Sequence, residues 1–216
     1  MKLFTKGVVI SLGIVVLSLL FGVYFYPILP DQIASHWGAM GEVNGYMSKL
    51  WGILFIPILL FVLLSILVMV PRFDPKKEAI EKMTGIYDAF LILLSSFFFL
   101  LQLFIVGSNL VTGIDPARIF PFLFGLLFIG LGFLIERVKQ NWTIGIRNPW
   151  TLSSEAVWDK THKAGGKVFK IVGVIACFGI VFPTISFLVF LIPLIAGVVG
   201  LFIYSYQLYK REKKSQ

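Results

Sequence analysis

The side chains best suited to bind a metal ion are few and far apart in the sequence. His36 lies near two carboxylates, Asp31 and Glu42, which together offer three ligating groups. Zinc prefers three or four ligands with several His or Cys among them. The other histidine, His162, and the single cysteine, Cys177, lie far along the chain. We therefore expect no metal site and no cofactor.

The most crowded set of titratable residues is Glu155, Asp159 and His162. Separations of three, four and seven residues allow these side chains to share one helix face. A hydrolase would also need a nucleophile or a metal, and the chain has no HExxH, GxSxG or phosphate-loop pattern. We expect no catalytic residues, and a membrane-embedded enzyme stands as an alternative function.

The composition indicates which elements must hold these residues. Of 216 residues, 58% are hydrophobic and only 14% are charged, whereas a soluble domain averages about 25% charged residues. The charges are confined to short clusters between long apolar runs, which leaves too few for a polar coat. The chain is therefore predicted to be an all-α polytopic membrane protein.

The number of spans follows from the lengths of the apolar runs, since a helix needs about 20 apolar residues to cross a bilayer. Four spans are predicted at 7–26, 50–70, 89–112 and 119–135. The last uncharged run, 171–209, has 39 residues and would extend about 58 Å as one helix. It must fold back, and Pro183 is the expected break. The fifth helix then starts near Lys167, and the count is six.

Orientation follows from the basic residues, because cytoplasmic loops retain Lys and Arg. In the six-span arrangement 17 of 19 basic residues lie on one side, including Lys2 and Lys6, and only Lys49 and Arg118 lie on the other. We predict a multi-pass protein of the cell membrane with both termini in the cytoplasm. This topology explains the net charge of +8, so no direct binding to nucleic acid is expected.

The first connection, residues 27–49, is predicted to be extracellular and is richer than a linker needs to be. Asp31 is expected to cap a short helical turn carrying His36 and Trp37. Glycines further along tolerate positive φ and favour a compact, turn-rich structure. The candidate ligand-facing residues are Pro30, His36, Trp37, Gly41, Glu42, Gly45 and Lys49.

The fourth connection, residues 141–167, is predicted to be cytoplasmic and structured. Ser153 is expected to cap a short interfacial helix with Glu155 in its first turn, and this helix is expected to bend at Gly165–Gly166 into the fifth span. Arg147 is expected within reach of Glu136, Glu155 or lipid phosphate. The candidate residues for partner binding are Gly145, Arg147, Pro149, Trp150, Thr151, Ser153, Glu155, Trp158, Thr161 and His162.

Several of these residues also have simpler structural interpretations. Trp150 and Trp158 can serve only as interfacial anchors, and Arg147 can simply follow the positive-inside rule. Gln102 in the third span is most often an interhelical hydrogen-bonding group. Helix-interior prolines at positions 57 and 193 are the only hint of a transporter with broken helices.

These two connections resemble the SdpI family of membrane immunity and signalling proteins. The outer one has the family's Pro-x-x-Pro, a His followed by an aromatic residue, a Gly-Glu pair and a terminal Ser-Lys. The inner one is similar to the more specific signature Gly-Ile-Arg-x-Pro-Trp-Thr-Leu-Ser, followed by Trp and Thr-His. The resemblance covers the whole chain in order. It divides the chain into a helical hairpin of the DUF1648 type, residues 1–84, and a four-helix region, residues 85–216.

The resemblance implies a function that residue spacing alone does not. Members of the family protect a producing cell from an exported hydrophobic toxin peptide, the sporulation-delay toxin. They are also thought to hold an ArsR-like helix-turn-helix repressor at the membrane once the peptide is bound. The partners it implies are therefore the lipid bilayer, a hydrophobic toxin peptide and a repressor at the cytoplasmic face. Alternatives are a membrane-embedded enzyme or a transporter of small molecules or peptides.

Overall fold

The computed structural model describes residues 5–214; Lys2, which the charge count includes, lies outside them. Eight helices and one two-stranded hairpin follow each other along the described chain. In order they are α1 (Lys6–Phe25), β1 (Gln32–Trp37), β2 (Val43–Ser48), α2 (Lys49–Met69), α3 (Lys77–Lys82), α4 (Thr84–Leu110), α5 (Pro116–Ile135), α6 (Pro149–Ser153), α7 (Glu155–Phe178) and α8 (Ser186–Lys214).

Six of these helices, α1, α2, α4, α5, α7 and α8, are long and apolar enough to cross a membrane. This confirms the predicted six spans, and the chain is a multi-pass membrane protein. The predicted break in the last apolar run is also present, because α7 ends at Phe178 and Pro183 opens the short turn before α8. The spans alternate, which places the β-hairpin on one side of the bundle (the hairpin side) and residues 136–154 on the other (the motif side).

The fifth span differs from the prediction in where it begins. A short helix, α6, does precede it, but α7 starts at Glu155 and continues through Gly165 and Gly166 without interruption. The expected boundary at these glycines is wrong because they serve helix contact. A Cβ on Gly166 would lie 2.6 Å from the carbonyl oxygen of Gly132 on α5. Only hydrogen at this position lets the two backbones approach so closely.

The first connection is a β-hairpin, so the expected helical turn at Asp31 is wrong. His36 and Trp37 lie in β1, which pairs antiparallel with β2. Two features favour strand pairing over a turn of helix. The loop closes through a hydrogen bond from Gly38 N–H to the Glu42 carbonyl (2.8 Å), and Asp31 forms an ion pair with Lys49 (2.9 Å) at the base of the hairpin.

Helix α4 joins the hairpin to the bundle through Asn109. The Asn109 Oδ1 accepts a hydrogen bond from the Ala34 N–H (2.7 Å), and its Nδ2 donates to the Ala34 carbonyl (3.1 Å). One amide side chain thus takes the place of a neighbouring strand at this point of β1, whose backbone groups need partners in an apolar setting.

Two further side chains of α4 satisfy carbonyls that prolines leave free. Pro57 cannot donate to the Ile53 carbonyl four residues earlier, and the Gln102 Nε2 donates to that oxygen instead (3.3 Å). Pro71 likewise cannot donate to the Leu67 carbonyl four residues earlier. That carbonyl accepts a hydrogen bond from the hydroxyl of Tyr87 instead (2.6 Å).

Gln102 is fully buried and also bonds the hydroxyl and carbonyl of Ser18 on α1. This confirms its predicted role as an interhelical hydrogen-bonding group. Helices α2 and α8 continue through Pro57 and Pro193, so neither proline marks the broken helix that a transporter site would use.

Candidate functional site

The centre of the motif side is a stack of Trp158 on His162. Both side chains lie on α7, one turn apart, with ring centroids 3.9 Å apart and planes inclined by 18°. Trp158 is fully buried, and its indole N–H donates to the Val138 carbonyl (2.8 Å). The polar atom of this large side chain therefore has a partner inside the protein, as a buried indole requires.

His162 is held in one neutral form by its two backbone partners. Its Nε2 lies 3.0 Å from the Ile146 N–H, which can only donate, so Nε2 carries no proton. Its Nδ1 lies 2.9 Å from the Trp158 carbonyl, which can only accept, so Nδ1 carries the proton. Because both ring nitrogens are hydrogen-bonded, His162 holds the backbone at Ile146 in place and is not free to transfer protons.

Gly145 lies against this stack and can only be glycine. Its φ is 127°, in the region that L-residues with a side chain rarely adopt. A Cβ at this position would lie 2.6 Å from His162 Nε2 and 2.8 Å from the Trp158 ring. Gly145, one of the residues predicted for partner binding, thus has a structural role: it lets the backbone pass close to the Trp158–His162 stack.

Helix α6 is fixed at its start by a reciprocal pair of hydrogen bonds. The Asn148 Oδ1 accepts from the Thr151 N–H, and the Thr151 hydroxyl accepts from the Asn148 N–H, both at 3.0 Å. The Asn148 Nδ2 then donates to the hydroxyl of Ser205 on α8 (2.9 Å). Thr151 is fully buried, and so this predicted residue acts within the fold.

Trp150 packs onto α8, between the rings of Phe202 and Tyr206, with centroid distances of 4.7 and 5.1 Å. The predicted residues Trp150 and Trp158 both have defined contacts. The segment is therefore a structured surface, as predicted, and not a flexible tether. Thr161 is fully buried, and its hydroxyl has no hydrogen-bond partner among residues 5–214.

The cap of α7 lies one residue beyond the prediction. Ser154, and not Ser153, accepts the capping hydrogen bond from the Val157 N–H (3.2 Å). Ser153 lies in the preceding helix, α6, and donates its hydroxyl proton to the Pro149 carbonyl (2.5 Å). Glu155 is in the first turn of α7, as predicted, and forms an ion pair with Lys76 (3.3 Å).

Arg147 is exposed and donates to the Trp142 carbonyl, which closes the loop between these residues. The sequence predicts it within reach of Glu136, Glu155 or lipid phosphate. Within residues 5–214 it makes no ion pair with either glutamate, because Glu136 pairs with Lys170 (2.7 Å) and Glu155 with Lys76. The guanidinium thus keeps most of its donors available at the surface.

Sequence reasoning did not identify Asp74, which organises the same loop from the α2–α3 connection. Its buried carboxylate accepts from the Trp142 N–H (2.8 Å), the Thr143 hydroxyl (2.6 Å) and the Lys76 N–H (2.7 Å). The only signal in the sequence is an Asp-Pro pair, which is typical of many turns. Two of its three partners, Trp142 and Thr143, lie almost 70 residues away.

An apolar cleft of about 580 Å³ lies on the hairpin side, between β1 and helices α4, α5 and α8. Trp37 forms one wall and meets the rings of Phe104 (5.0 Å) and Phe120 (5.5 Å). The other lining side chains are mostly aromatic or aliphatic, among them Leu101, Ile105, Phe124, Phe187 and Phe190. Such a cleft accepts an apolar ligand, and the exposed edge at His36 gives it a polar rim.

Only two of the predicted outer residues line this cleft, namely His36 and Trp37. Gly41 approaches Ala117 on α5, and Gly45 lies against the Cβ of His36, so both glycines shape the hairpin. The remaining three do not line the cleft. Pro30 is exposed, and the Glu42 carboxylate accepts a hydrogen bond from the Met40 N–H (3.1 Å). Lys49 forms an ion pair with Asp31. The ion pair with Lys49 lowers the pKa of Asp31.

No sequence pattern distinguishes the phenylalanines of the cleft, since Phe is common throughout membrane spans. They come from α5 and α8, which lie far from the hairpin in the chain, and only the packing of the bundle brings them together. The residue that a sequence pattern does mark is Trp37, the aromatic residue that follows His36.

The titratable sets considered for chemistry are not assembled into one site. Asp31 pairs with Lys49, His36 contacts Asn44, and Glu42 bonds the loop backbone, so each has a separate partner. On α7, His162 faces inward, whereas Glu155 and Asp159 are exposed. Among the described residues no group of three His, Cys, Asp or Glu side chains is arranged to hold a metal ion.

Comparison with known proteins relates both surfaces to one family. A model of DUF1648, a domain of unknown function, matches residues 13–61, and the model of the SdpI/YfhL protein family matches residues 137–205. The immunity protein SdpI of Bacillus subtilis (strain 168) is 27% identical over 208 residues, which cover 95% of this chain and 97% of that protein. No solved structure matches the chain. Both elaborated connections are thus matched in order, and the chain is similar along nearly its whole length to a membrane immunity protein of the SdpI family.

Proposed function

We propose that this protein is an immunity protein of the cell membrane that captures a hydrophobic toxin peptide on its hairpin side. The observation that carries the proposal is the 580 Å³ apolar cleft between β1 and the aromatic side chains of α5 and α8. The name of the Bacillus subtilis relative, an immunity protein, supports the same function.

The cleft suits a peptide that dissolves in the outer part of a bilayer. Trp37 and Phe120 form a ring-lined wall, and an aromatic side chain packed in favourable geometry against such a wall contributes about 0.5–1.5 kcal/mol. Leu101 and Phe190 extend the same surface along α4 and α8, toward the middle of the membrane. A peptide held there is removed from the lipid in which it would act, so protection needs capture alone and no chemical step.

The proposal includes an orientation. The hairpin faces the outside of the cell, where an exported toxin arrives, and both termini lie in the cytoplasm. The basic residues support this: leaving out Lys2, which lies outside the described residues, 16 of the other 18 fall on the motif side, and cytoplasmic connections retain positive charge.

Protection assays test the cleft directly. Ala39 lines it and is exposed, whereas its neighbour Met40 is exposed and does not line it. We expect Ala39→Trp, which fills the cleft, to lower the toxin concentration that cells survive by about tenfold, equivalent to losing one apolar contact of about 1.4 kcal/mol. Met40→Trp should protect as well as the wild type. Full protection by Ala39→Trp at an equal membrane level would exclude the cleft as the capture site.

We further propose that the motif side holds a transcriptional repressor at the membrane, as the family resemblance implies. The observation in favour is that the exposed residues Arg147, Pro149, Ser153 and Glu155 lie on a segment that buried, hydrogen-bonded side chains such as Asn148 and Thr151 hold in place. Rigid presentation lowers the ordering cost of binding a partner.

Arg147→Ala separates this output from protection. We expect it to reduce the fraction of an ArsR-like repressor recovered with membranes while cells survive toxin as before. Trp158 is unsuitable for this test, because its burial means that Trp158→Ala costs about 3–5 kcal/mol of stability. Loss of both outputs in Arg147→Ala, at unchanged protein level, would contradict a separate signalling surface.

A further inference from the structure

A second cavity, of about 970 Å³, lies on the motif side. It is bounded on one side by α3 with the residues just before it and the first turns of α4, and on the other by the end of α5 with the residues just after it and the start of α7. Five basic side chains and three carboxylates line it, so it carries a net positive charge. The basic residues are Lys76, Lys77, Lys82, Arg137 and Lys139.

Three of the five cations lack an ion pair among the described residues. Lys76 is engaged by Glu155 (3.3 Å) and by the side chain of Gln140. By contrast, Lys82, Arg137 and Lys139 are exposed and form no ion pair within residues 5–214. Cations grouped around one cavity repel each other, and an anion between them removes that repulsion.

The cavity continues from these charges to an apolar wall. Ile86 and Ala89 belong to the first turns of the α4 span, and Leu134 belongs to the last turn of the α5 span. The wall is therefore formed by the ends of two membrane-spanning helices on the motif side. Gly85 also lines the cavity, and a Cβ there would have no neighbour within 4 Å, so the space beside α4 is open.

We propose that this cavity binds an anionic phospholipid. Its phosphate lies among Lys82, Arg137 and Lys139, and an acyl chain lies along Ile86 and Leu134. The planar guanidinium of Arg137 suits a phosphate because it can donate two parallel hydrogen bonds. Clusters of basic residues at the membrane surface are attracted to anionic lipid, and the apolar wall distinguishes a lipid from a free phosphate, which would have no use for it.

Native mass spectrometry of the full-length, delipidated protein with added phosphatidylglycerol tests the site. Gly85→Phe fills the cavity and keeps every charge. Gly13→Phe is its control, since a Cβ at Gly13 also meets open space, on a different helix. We expect Gly85→Phe to bind phosphatidylglycerol at least about tenfold more weakly, the effect of losing one or two contacts of lipid with its site. Gly13→Phe should bind as the wild type does.

A charge comparison completes the test. The triple variant Lys82→Gln, Arg137→Gln, Lys139→Gln should also lose binding, whereas Lys210→Gln, Arg211→Gln, Lys213→Gln in the tail removes equal charge and should keep it. Equal binding of phosphatidylglycerol by Gly85→Phe and the wild type would overturn the proposal. An acidic protein segment would then be the alternative ligand of these cations. Equal affinity for phosphatidylcholine, or full displacement by inorganic phosphate, would also overturn it.

Discussion

Gly145 shows how one residue can decide whether the motif side forms. Two separate constraints act on it, the φ of 127° and the 2.6 Å approach to His162 Nε2. Gly113 also has a positive φ, 89°, but a Cβ there would meet open space. The pair separates backbone strain from steric overlap.

We expect Gly113→Ala to lower the free energy of unfolding by about 1 kcal/mol, the cost of strain alone. Gly145→Ala should cost more, about 3 kcal/mol, because the Trp158–His162 stack must also move. Thermal unfolding in detergent, followed by tryptophan fluorescence, measures both. Equal losses in the two variants would show that the contact with His162 carries no energy.

The pairing of Gln102 with Pro57 is a second feature of single residues. Because Gln102 replaces the donor that Pro57 lacks, its contribution to the free energy of unfolding should depend on the proline. We expect Gln102→Leu to cost about 1 kcal/mol in the wild type and less when Pro57→Ala restores the backbone N–H to Ile53. The free energies of unfolding of the single and double variants measure this coupling.

Pro193→Ala is the control for that cycle, because it changes a helix-interior proline on α8, far from Gln102. It should leave the cost of Gln102→Leu unaltered. If Gln102→Leu costs the same with and without Pro57, the side chain is not the substitute donor.

Among the elements, the contact of α5 with α7 depends on glycines that face each other. Gly132 meets Gly166, and Gly125 meets Gly173, each with a would-be Cβ within 2.8 Å of the partner's carbonyl oxygen. Small residues at such crossings allow close backbone approach, which drives helix association in lipid.

Gly166→Val should therefore separate the two helices and cost about 3 kcal/mol or more. Gly200→Val is the matched control, since it makes the same change inside α8, where a Cβ has open space. Resistance to unfolding in detergent and the size-exclusion profile report the result. Similar behaviour of the two variants would mean that α5 and α7 tolerate a wider separation.

The elements also show what a sequence can and cannot predict. The six spans were predictable because apolar length alone decides whether a helix crosses a membrane. The role of Gly165–Gly166 was misjudged as a bend, since close approach to α5 depends on a partner that helix propensity does not describe. The cap at Ser154 was missed by one residue because Ser153 and Ser154 have equal capping chemistry.

For the candidate site, the sequence marked the two elaborated connections but not the residues elsewhere in the chain that shape them. The motif between Gly145 and His162 was identified, whereas Asp74, which fixes it from another connection, was not. The outer cleft was not predictable beyond His36 and Trp37, because its phenylalanines resemble every other lipid-facing Phe until the bundle is assembled.

At the scale of the whole molecule, the orientation in the membrane is a prediction that chemistry can test. In a Cys177→Ala background, a cysteine at exposed Ala39 should react with a membrane-impermeant thiol reagent in intact cells. One at exposed Lys160, on the motif side, should react only after the cells are opened. Labelling in the reverse order would place the hairpin in the cytoplasm and contradict the proposed capture of an exported peptide.

The bonds from α4 to the earlier helices have a consequence for biosynthesis. A chain is inserted from its N-terminus, so α1 and α2 reach the lipid before Gln102, Asn109 and Tyr87 have been made. Until then the Ile53 carbonyl has no donor in a medium without water, which costs free energy. The first two spans contact each other directly, but this carbonyl gains its donor only after α4 has been made. A chain cut before α4 should therefore be a substrate for membrane quality control.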